Sequence, residues 1–111
     1  MSPGSFGAPT TDAIMPAVQF EGLPGADLID AGLRDLERGV ESIPALLVSI
    51  GAPRLRRAGI SVPTALPEPE RRLYDLLHAD DPATAHARYN ALIRRLVSFE
   101  RALEAGARTS A

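Results

Sequence analysis

Apolar residues recur along residues 29–50 at spacings that alternate between four and three. The positions in this pattern are Ile29, Leu33, Leu36, Val40, Ile43, Leu47 and Ile50. A repeat of this kind is typical of an amphipathic helix that buries one apolar stripe. The pattern predicts a long first helix that begins near Ala26 or Asp27 and ends at Gly51, a natural C-terminal stop.

Pro44 complicates this first helix, because a proline inside a helix removes one backbone hydrogen bond and clashes with the preceding turn, at a cost of ~3 kcal/mol or more. Either one long helix is kinked at Pro44, or one helix ends near Glu41 and Ser42 caps a second one. The continuous apolar repeat across Pro44 favours the kinked helix. Gly32 and Gly39, both beside the stripe, indicate either a close-packed neighbouring helix or sequence drift.

A second repeat of the same kind lies near the C-terminus. Its positions are Ala85, Tyr89, Leu92, Leu96, Phe99 and Leu103. Asp81 is a suitable N-cap and Gly106 a suitable stop, so the pattern predicts a helix over about 82–105. Ile93 and Val97 widen the apolar face beyond a narrow stripe, which favours two neighbouring helices rather than one.

The segment between these two repeats is rich in arginine and proline. Pro53 can open a short helical turn that carries the arginines of residues 54–57. Residues 59–69 contain three prolines and predict a stiff connector. A short helix is expected from about Pro67 to Ala79. The chain therefore predicts an all-α fold, a small helical bundle with two long helices and one or two short ones.

The prolines and glycines of residues 1–25 are too frequent for a helix. This segment is predicted to be a flexible or docking N-terminal tail, in which Ile14, Met15, Val18 and Phe20 are apolar enough to dock. Residues 26–106 then form the helical domain, and residues 107–111 a C-terminal tail.

Composition excludes several classes of function. There is no Cys, and hence no disulfide, thiolate nucleophile or zinc–thiolate site. No apolar run approaches the roughly 20 residues of a membrane helix, and no secretion signal is visible, so we expect a cytoplasmic protein. The net charge of -2 argues against a dedicated nucleic-acid binder. Residues 1–50 are nevertheless net -5 and residues 51–111 net +3, which favours either packing between the halves or a basic binding face.

The arginines in the second half are candidate partner-binding residues, because arginine suits recognition of carboxylates and phosphates. They are Arg54, Arg56, Arg57, Arg71 and Arg72. A candidate polar site consists of His78, Asp80 and His86, since imidazole and carboxylate groups that converge can act as acid and base. Their spacing fits no established ligand motif, and we expect neither a metal ion nor a cofactor.

The sequence predicts a small non-enzymatic interaction or regulatory protein, such as an adaptor, an antitoxin-like partner or a small subunit of an assembly. Two alternatives stay open: a nucleic-acid-associated regulator that uses the arginines, and a helical enzyme centred on residues 78–86. The wide apolar face of the last helix also predicts self-association, most simply a homodimer. A protein partner is expected, and no membrane association.

Overall fold

The computed structural model describes residues 22–110, with side chains through Gly106. Four helices form this part of the chain and it contains no strand, which confirms the all-α class. The helices are α1 (Ala26–Glu37), α2 (Ile43–Arg57), α3 (Pro69–Asp80) and α4 (Ala85–Ser110). The apolar residues predicted to dock from the N-terminal tail lie outside the described residues.

The prediction of one helix kinked at Pro44 is wrong. α1 ends at Glu37, and Gly39 follows with a left-handed φ of 69°. Ser42 then caps α2, because its hydroxyl accepts a hydrogen bond of 3.1 Å from the Ala45 N–H. A proline in a first helical turn sacrifices no helical hydrogen bond, whereas one in mid-helix does. The cap at Ser42 therefore outweighs the continuous apolar repeat. The alternative in which Ser42 caps a second helix is the correct one.

The predicted stop at Gly51 is also wrong, because α2 continues through Gly51 and Pro53 to Arg57. An added Cβ at Gly51 would lie 2.8 Å from the Glu100 carboxylate and 2.9 Å from a Leu96 methyl group. The glycine therefore allows α4 to pack closely against α2. The helix ends instead before Gly59, whose φ is 99°.

Gly32 marks the point where α1 crosses α2. A Cβ added there would overlap the Pro44 carbonyl oxygen and a Val48 methyl group. The close-packed neighbour is thus correct for Gly32, whereas Gly39 forms the turn after α1. Ser42 strengthens the same junction, since its hydroxyl donates a hydrogen bond of 2.6 Å to Asp35.

α4 starts later and ends later than predicted. Asp81 accepts hydrogen bonds from the Ala83 N–H at 3.2 Å and the Thr84 hydroxyl at 2.9 Å, so residues 82–84 form a turn that precedes the helix. The stop at Gly106 is wrong, since α4 continues to Ser110 and includes most of the predicted C-terminal tail. Nothing lies within 4 Å of a Cβ added at Gly106, and one interior glycine costs a helix only about 1 kcal/mol.

All four helices contribute to one core. α2 lies at its centre, in contact with α1, α3 and α4, and its residues 45–49 are all buried. The largest fully buried side chains are Phe99, Ile29, Leu46, Leu47, Leu55, Leu73, Leu77 and Val48. Burial is confirmed for Leu96 and Phe99, whereas Tyr89, Leu92 and Leu103 are half-buried against the same core.

The proline-rich connector between α2 and α3 is fixed to α2 by hydrogen bonds. The buried Ser49 hydroxyl accepts a bond of 3.0 Å from the Leu66 N–H and donates one of 2.8 Å to the Ala45 carbonyl. The hydroxyl is therefore satisfied both as a donor and as an acceptor, as is usual for a buried polar group. Across residues 22–110, no helix is both long enough and apolar enough to span a bilayer.

Candidate functional site

Arg54, a predicted partner-binding residue, joins α2 to α4. Its Nε and Nη2 donate hydrogen bonds of 2.7 and 2.8 Å to the two Glu104 oxygens, and Nη1 donates one of 3.1 Å to Glu100 Oε1. The fork of bonds to Glu104 has the geometry that makes arginine–carboxylate pairs specific. Hydrogen bonding to Glu104 raises the pKa of Arg54. This guanidinium therefore stabilises the bundle, and each of its three nitrogen atoms already has an acceptor.

Glu100 is a carboxylate inside the bundle, with only 5% of its surface exposed. Burial raises its pKa, although the positive charge of Arg54 opposes the shift. Its Oε2 lies against the backbone of Gly51, where a side chain would collide with it. The polar part of the α2–α4 contact thus consists of Arg54, Glu100 and Glu104, next to the close approach at Gly51.

Two further predicted arginines are also engaged within the chain. Arg56 Nη2 donates to the carbonyls of Val62 at 3.2 Å and Pro63 at 3.0 Å, and so holds the connector. Arg72 forms a two-bond ion pair with Glu41, which ties α3 to the segment before α2. These contacts hold both guanidinium groups against the chain itself.

Arg71 and Arg57 are freer. Arg71 is three-quarters exposed and reaches Glu68 and Asp75 only at 4.0 and 3.9 Å. Arg57 is exposed and forms no ion pair with the described residues, and its charge lowers the pKa of Glu100. The five predicted arginines therefore have separate contacts and do not act as a single patch.

The candidate polar site is divided among different neighbours. The His78 ring lies 6.1 Å from the Tyr74 ring, and Asp80 accepts a hydrogen bond of 2.7 Å from Arg88. His86 Nε2 lies 3.2 Å from the Asn90 amide nitrogen. All three predicted residues are exposed. Within residues 22–110, no three His, Cys, Asp or Glu side chains are grouped to hold a metal ion.

The exposed side of α4 carries a set of small residues and arginines, spaced alternately four and three residues apart, that was not predicted as a site. Its positions are Ala87, Ala91, Arg94, Ser98, Arg101 and Ala105, and all six are exposed. We call these six residues the outer face of α4. They start two residues after the buried repeat, which places them on the opposite side of the helix. This offset can be found in the sequence, but alanine and serine on a helix surface are not by themselves a signal of a binding site.

The outer face is positively charged. In residues 85–106 the acids are Glu100 and Glu104, and both are bound to Arg54. Arg94 and Arg101 form no ion pair with any described residue. Beside them, Arg95 makes a 3.3 Å contact with Asp27, a pair in which the two side chains are 50% and 80% exposed. Exposed pairs of this kind are weak and leave Arg95 available.

A shallow open groove of about 470 Å³ runs along one edge of the outer face. It is lined by Pro24, Gly25, Ala91, Arg94, Arg95 and Ser98. A Cβ added at Gly25 would lie 3.1 Å from the Arg95 carbonyl oxygen, so the chain before α1 lies directly on α4. Two arginines and one hydroxyl thus border a groove suited to carboxylates.

The described aromatic side chains lie away from this groove. Tyr74 and Tyr89 are half-buried and pack edge to face with their ring centroids 5.9 Å apart. Burial raises the pKa of Tyr89, and the negative charge of Glu70 adds to the shift. Phe99 lies in the core. The outer face therefore offers charge and small side chains, but no ring on which a base could stack.

Comparison with known proteins yields no relative for this chain. No family model, no curated protein and no solved structure matches it.

Proposed function

We propose that this protein is a small helical interaction protein that binds another protein through the outer face of α4. The observation that carries the proposal is the pair Arg94 and Arg101, which are exposed, seven residues apart and without a carboxylate partner among the described residues. An adaptor or a small subunit of an assembly needs a surface of this kind and no catalytic group.

The proposal moves the predicted contact away from Arg54, Arg56 and Arg72. Those side chains already donate to Glu100, Glu104, connector carbonyls and Glu41. A partner that binds these side chains would have to compete with the bonds that hold them. Arg94 and Arg101 would give up only water, so the cost of binding through them is lower.

A protein partner is favoured over nucleic acid by charge and by chemistry. The whole chain has a net charge of -2, which opposes approach to a polyanion. The outer face also lacks an aromatic side chain. The enzyme alternative has less support, since His78, Asp80 and His86 each contact a different neighbour. A cytoplasmic location belongs to the same proposal.

Self-association is a second part of the proposal, with a different contact surface. The wide apolar face of α4 packs against α2 and α3 within one chain, so it does not require a second copy. The large apolar side chains that remain exposed in residues 22–106 are Val40 and Leu76. Val40 precedes Glu41 along the chain and Leu76 lies one turn after Arg72, so the Glu41–Arg72 ion pair connects the segments that carry them.

The experiment that tests partner binding compares two double variants of the full chain in affinity purification. Arg94→Ser/Arg101→Ser removes two charges from the outer face. Arg34→Ser/Arg71→Ser removes the same charge from exposed positions on α1 and α3. We expect the first variant to lose the partner proteins that the wild type and the second variant retain.

Circular dichroism should show equal helical content for both variants, because all four positions are exposed. Equal recovery of partners by both variants would contradict the proposal. Fluorescence anisotropy with labelled duplex DNA and single-stranded RNA tests the alternative. Tight binding to either that the first variant loses would replace a protein partner with nucleic acid.

A further inference from the structure

We infer that the groove beside the outer face is the docking site of the chain's own residues 18–21, with Phe20 in the groove and Glu21 paired with Arg95. This docking is separate from the proposed function, because it uses Arg95 and not the pair Arg94 and Arg101. It gives the N-terminal tail, which the sequence predicts to be flexible or docking, a definite surface on the bundle.

The chain approaches α1 along the surface of α4, directly at this groove. Pro24 and Gly25 line the groove, and a Cβ added at Gly25 would lie 3.1 Å from the Arg95 carbonyl oxygen. Gly25 also has a left-handed φ of 77°, so glycine suits this position in conformation as well as in size. Leu23 is partly buried against the core. The described part of the chain, which begins at Gly22, is therefore anchored at the edge of the groove.

The length of this connection restricts which residues can cover the groove. An extended chain spans at most about 3.6 Å per residue, so the Cα of Glu21 lies within about 14 Å of the Cα of Gly25. The α4 residues that line the groove, from Ala91 to Ser98, extend over about 10 Å of helix axis. Residues 18–21 directly precede Gly22 and are long enough to cover that distance.

Phe20 is the largest apolar side chain among these four residues and matches the lining of the groove. Pro24 and Ala91 are apolar, and the stems of Arg94 and Arg95 are aliphatic. An aromatic ring beside an exposed guanidinium also gains a cation–π attraction. A groove of about 470 Å³ has room for one such ring.

Glu21 supplies a carboxylate for Arg95. The present pair of Arg95 with Asp27 is 3.3 Å long and joins side chains that are 50% and 80% exposed, so it is weak and leaves further donors on the guanidinium. The charged side chains of residues 1–21 are Asp12 and Glu21, so this segment is negative. Glu21 is four residues from Gly25 and Asp12 is thirteen, so less chain entropy is lost when Glu21 binds.

Docking within one chain is favoured over docking onto a second copy. A connection of a few residues gives an effective concentration in the millimolar range. At micromolar protein concentration the groove is therefore filled by the segment attached to it before a second molecule can compete.

The first test uses Phe20→Trp in the full chain, because the sequence contains no other tryptophan. We expect its emission to lie at shorter wavelength than that of N-acetyltryptophanamide, with slower quenching by acrylamide. Adding Ala91→Glu fills the groove and places an acid opposite Glu21, so it should abolish this shielding. Adding Ala87→Glu places the same charge on α4 outside the groove lining and should leave the shielding intact.

Two substitutions in the tail test the ion pair in the same reporter. Glu21→Gln should lower the ratio of docked to free segment about two- to fivefold, as expected for the loss of one exposed pair. Asp12→Asn removes the same charge farther from the groove and should leave the ratio unchanged. Equal effects of the two substitutions would overturn the assignment of Glu21.

Nuclear magnetic resonance tests the docking without tryptophan and decides the matter if the larger indole does not fit. Phe20→Ser should shift the amide resonances of Ala91 and Ser98, whereas Ile14→Ser should not. Unmoved resonances in Phe20→Ser would overturn the docking. Shielding of the tryptophan that disappears on about hundredfold dilution would overturn docking within one chain and assign the groove to the tail of a second copy.

Discussion

The carboxylate of Glu100 is buried against α2 and receives a 3.1 Å hydrogen bond from Nη1 of Arg54. The same guanidinium binds Glu104 through two nitrogens. One arginine thus neutralises both acids of the described part of α4 and fixes them on the buried side. Arginines are then the only charged residues on the outer face of α4. The contact that stabilises the bundle therefore also leaves this face positively charged.

The buried acid should make stability depend on pH in a defined direction. The pKa of Glu100 is raised above its ordinary value of 4.5, so over the range just above 4.5 the folded chain binds more protons than the unfolded chain. The contribution of Glu100 to the free energy of unfolding is therefore complete below pH 4.5 and declines as pH rises through its raised pKa. Urea titrations at pH 4 to 8 should show this decline in the wild type but not in Glu100→Gln. Glu37→Gln, at an exposed acid, should keep the wild-type profile.

Arg54→Met should change the same profile. It removes the charge that opposes the raised pKa of Glu100, so that pKa should rise further. The variant should lose more stability at pH 7 than at pH 4, because the carboxylate is buried without a partner only when it is charged. Urea midpoints at the two pH values measure the difference. An equal loss at both would show that packing of the arginine stem dominates.

Leu96 offers a direct test of the core. Its side chain is 3% exposed and contacts α2 beside Gly51. Leu96→Ala should lower the free energy of unfolding by ~2–5 kcal/mol, since it removes buried methyl groups and leaves a cavity. Leu76→Ala deletes the same atoms at a partly exposed position and should cost much less. Equal losses would show that α4 does not pack as described.

The helical stripes could be predicted from the sequence, but several helix ends could not. The apolar repeat continues from Val40 into Ile43 although Val40 lies in an exposed segment between two helices. Only the Ser42 cap distinguishes two separate helices from one continuous helix. Gly39 and Gly51 look alike in sequence. One needs a left-handed φ and the other needs space for α4, and only the tertiary arrangement separates these requirements.

Which arginines are free to bind a partner also depends on the tertiary arrangement. Arg54 was predicted to bind a partner and Arg94 was not, although Arg54 is the one whose guanidinium is engaged within the chain. The acceptors of Arg54 lie 46 and 50 residues away along the chain, so these bonds depend on how α2 meets α4. The exposure of Arg94 follows from the offset of its repeat, which the sequence already contains.

Gly32 and Gly106, two of the glycines inside helices, lead to opposite predictions for the same substitution. Gly32→Ala adds a methyl group that overlaps the Pro44 carbonyl and Val48, so α1 must move away from α2. We expect a loss of ~1–3 kcal/mol from overpacking despite the better helix propensity of alanine. Gly106→Ala meets nothing within 4 Å and should be neutral or stabilising by up to ~1 kcal/mol. Thermal unfolding of both variants checks the α1–α2 crossing, which would be wrong if Gly32→Ala proved neutral.

Self-association through Val40 and Leu76 is the last prediction. These side chains are 43% and 38% exposed, and the segments that carry them are joined by the Glu41–Arg72 pair, so we treat these four residues as one patch with two opposite charges and two apolar groups. Such a patch can meet a copy of itself across a two-fold axis, because the apolar side chains can then face each other while each ion pair stays within its own chain. Light scattering at micromolar concentration should give twice the monomer mass of 11.8 kDa. Leu76→Glu should return the chain to a monomer, whereas Ala87→Glu, which adds the same charge on α4, should leave the dimer intact. A monomer mass for the wild type would refute the prediction, and the binding role of α4 would be unaffected because it uses different residues.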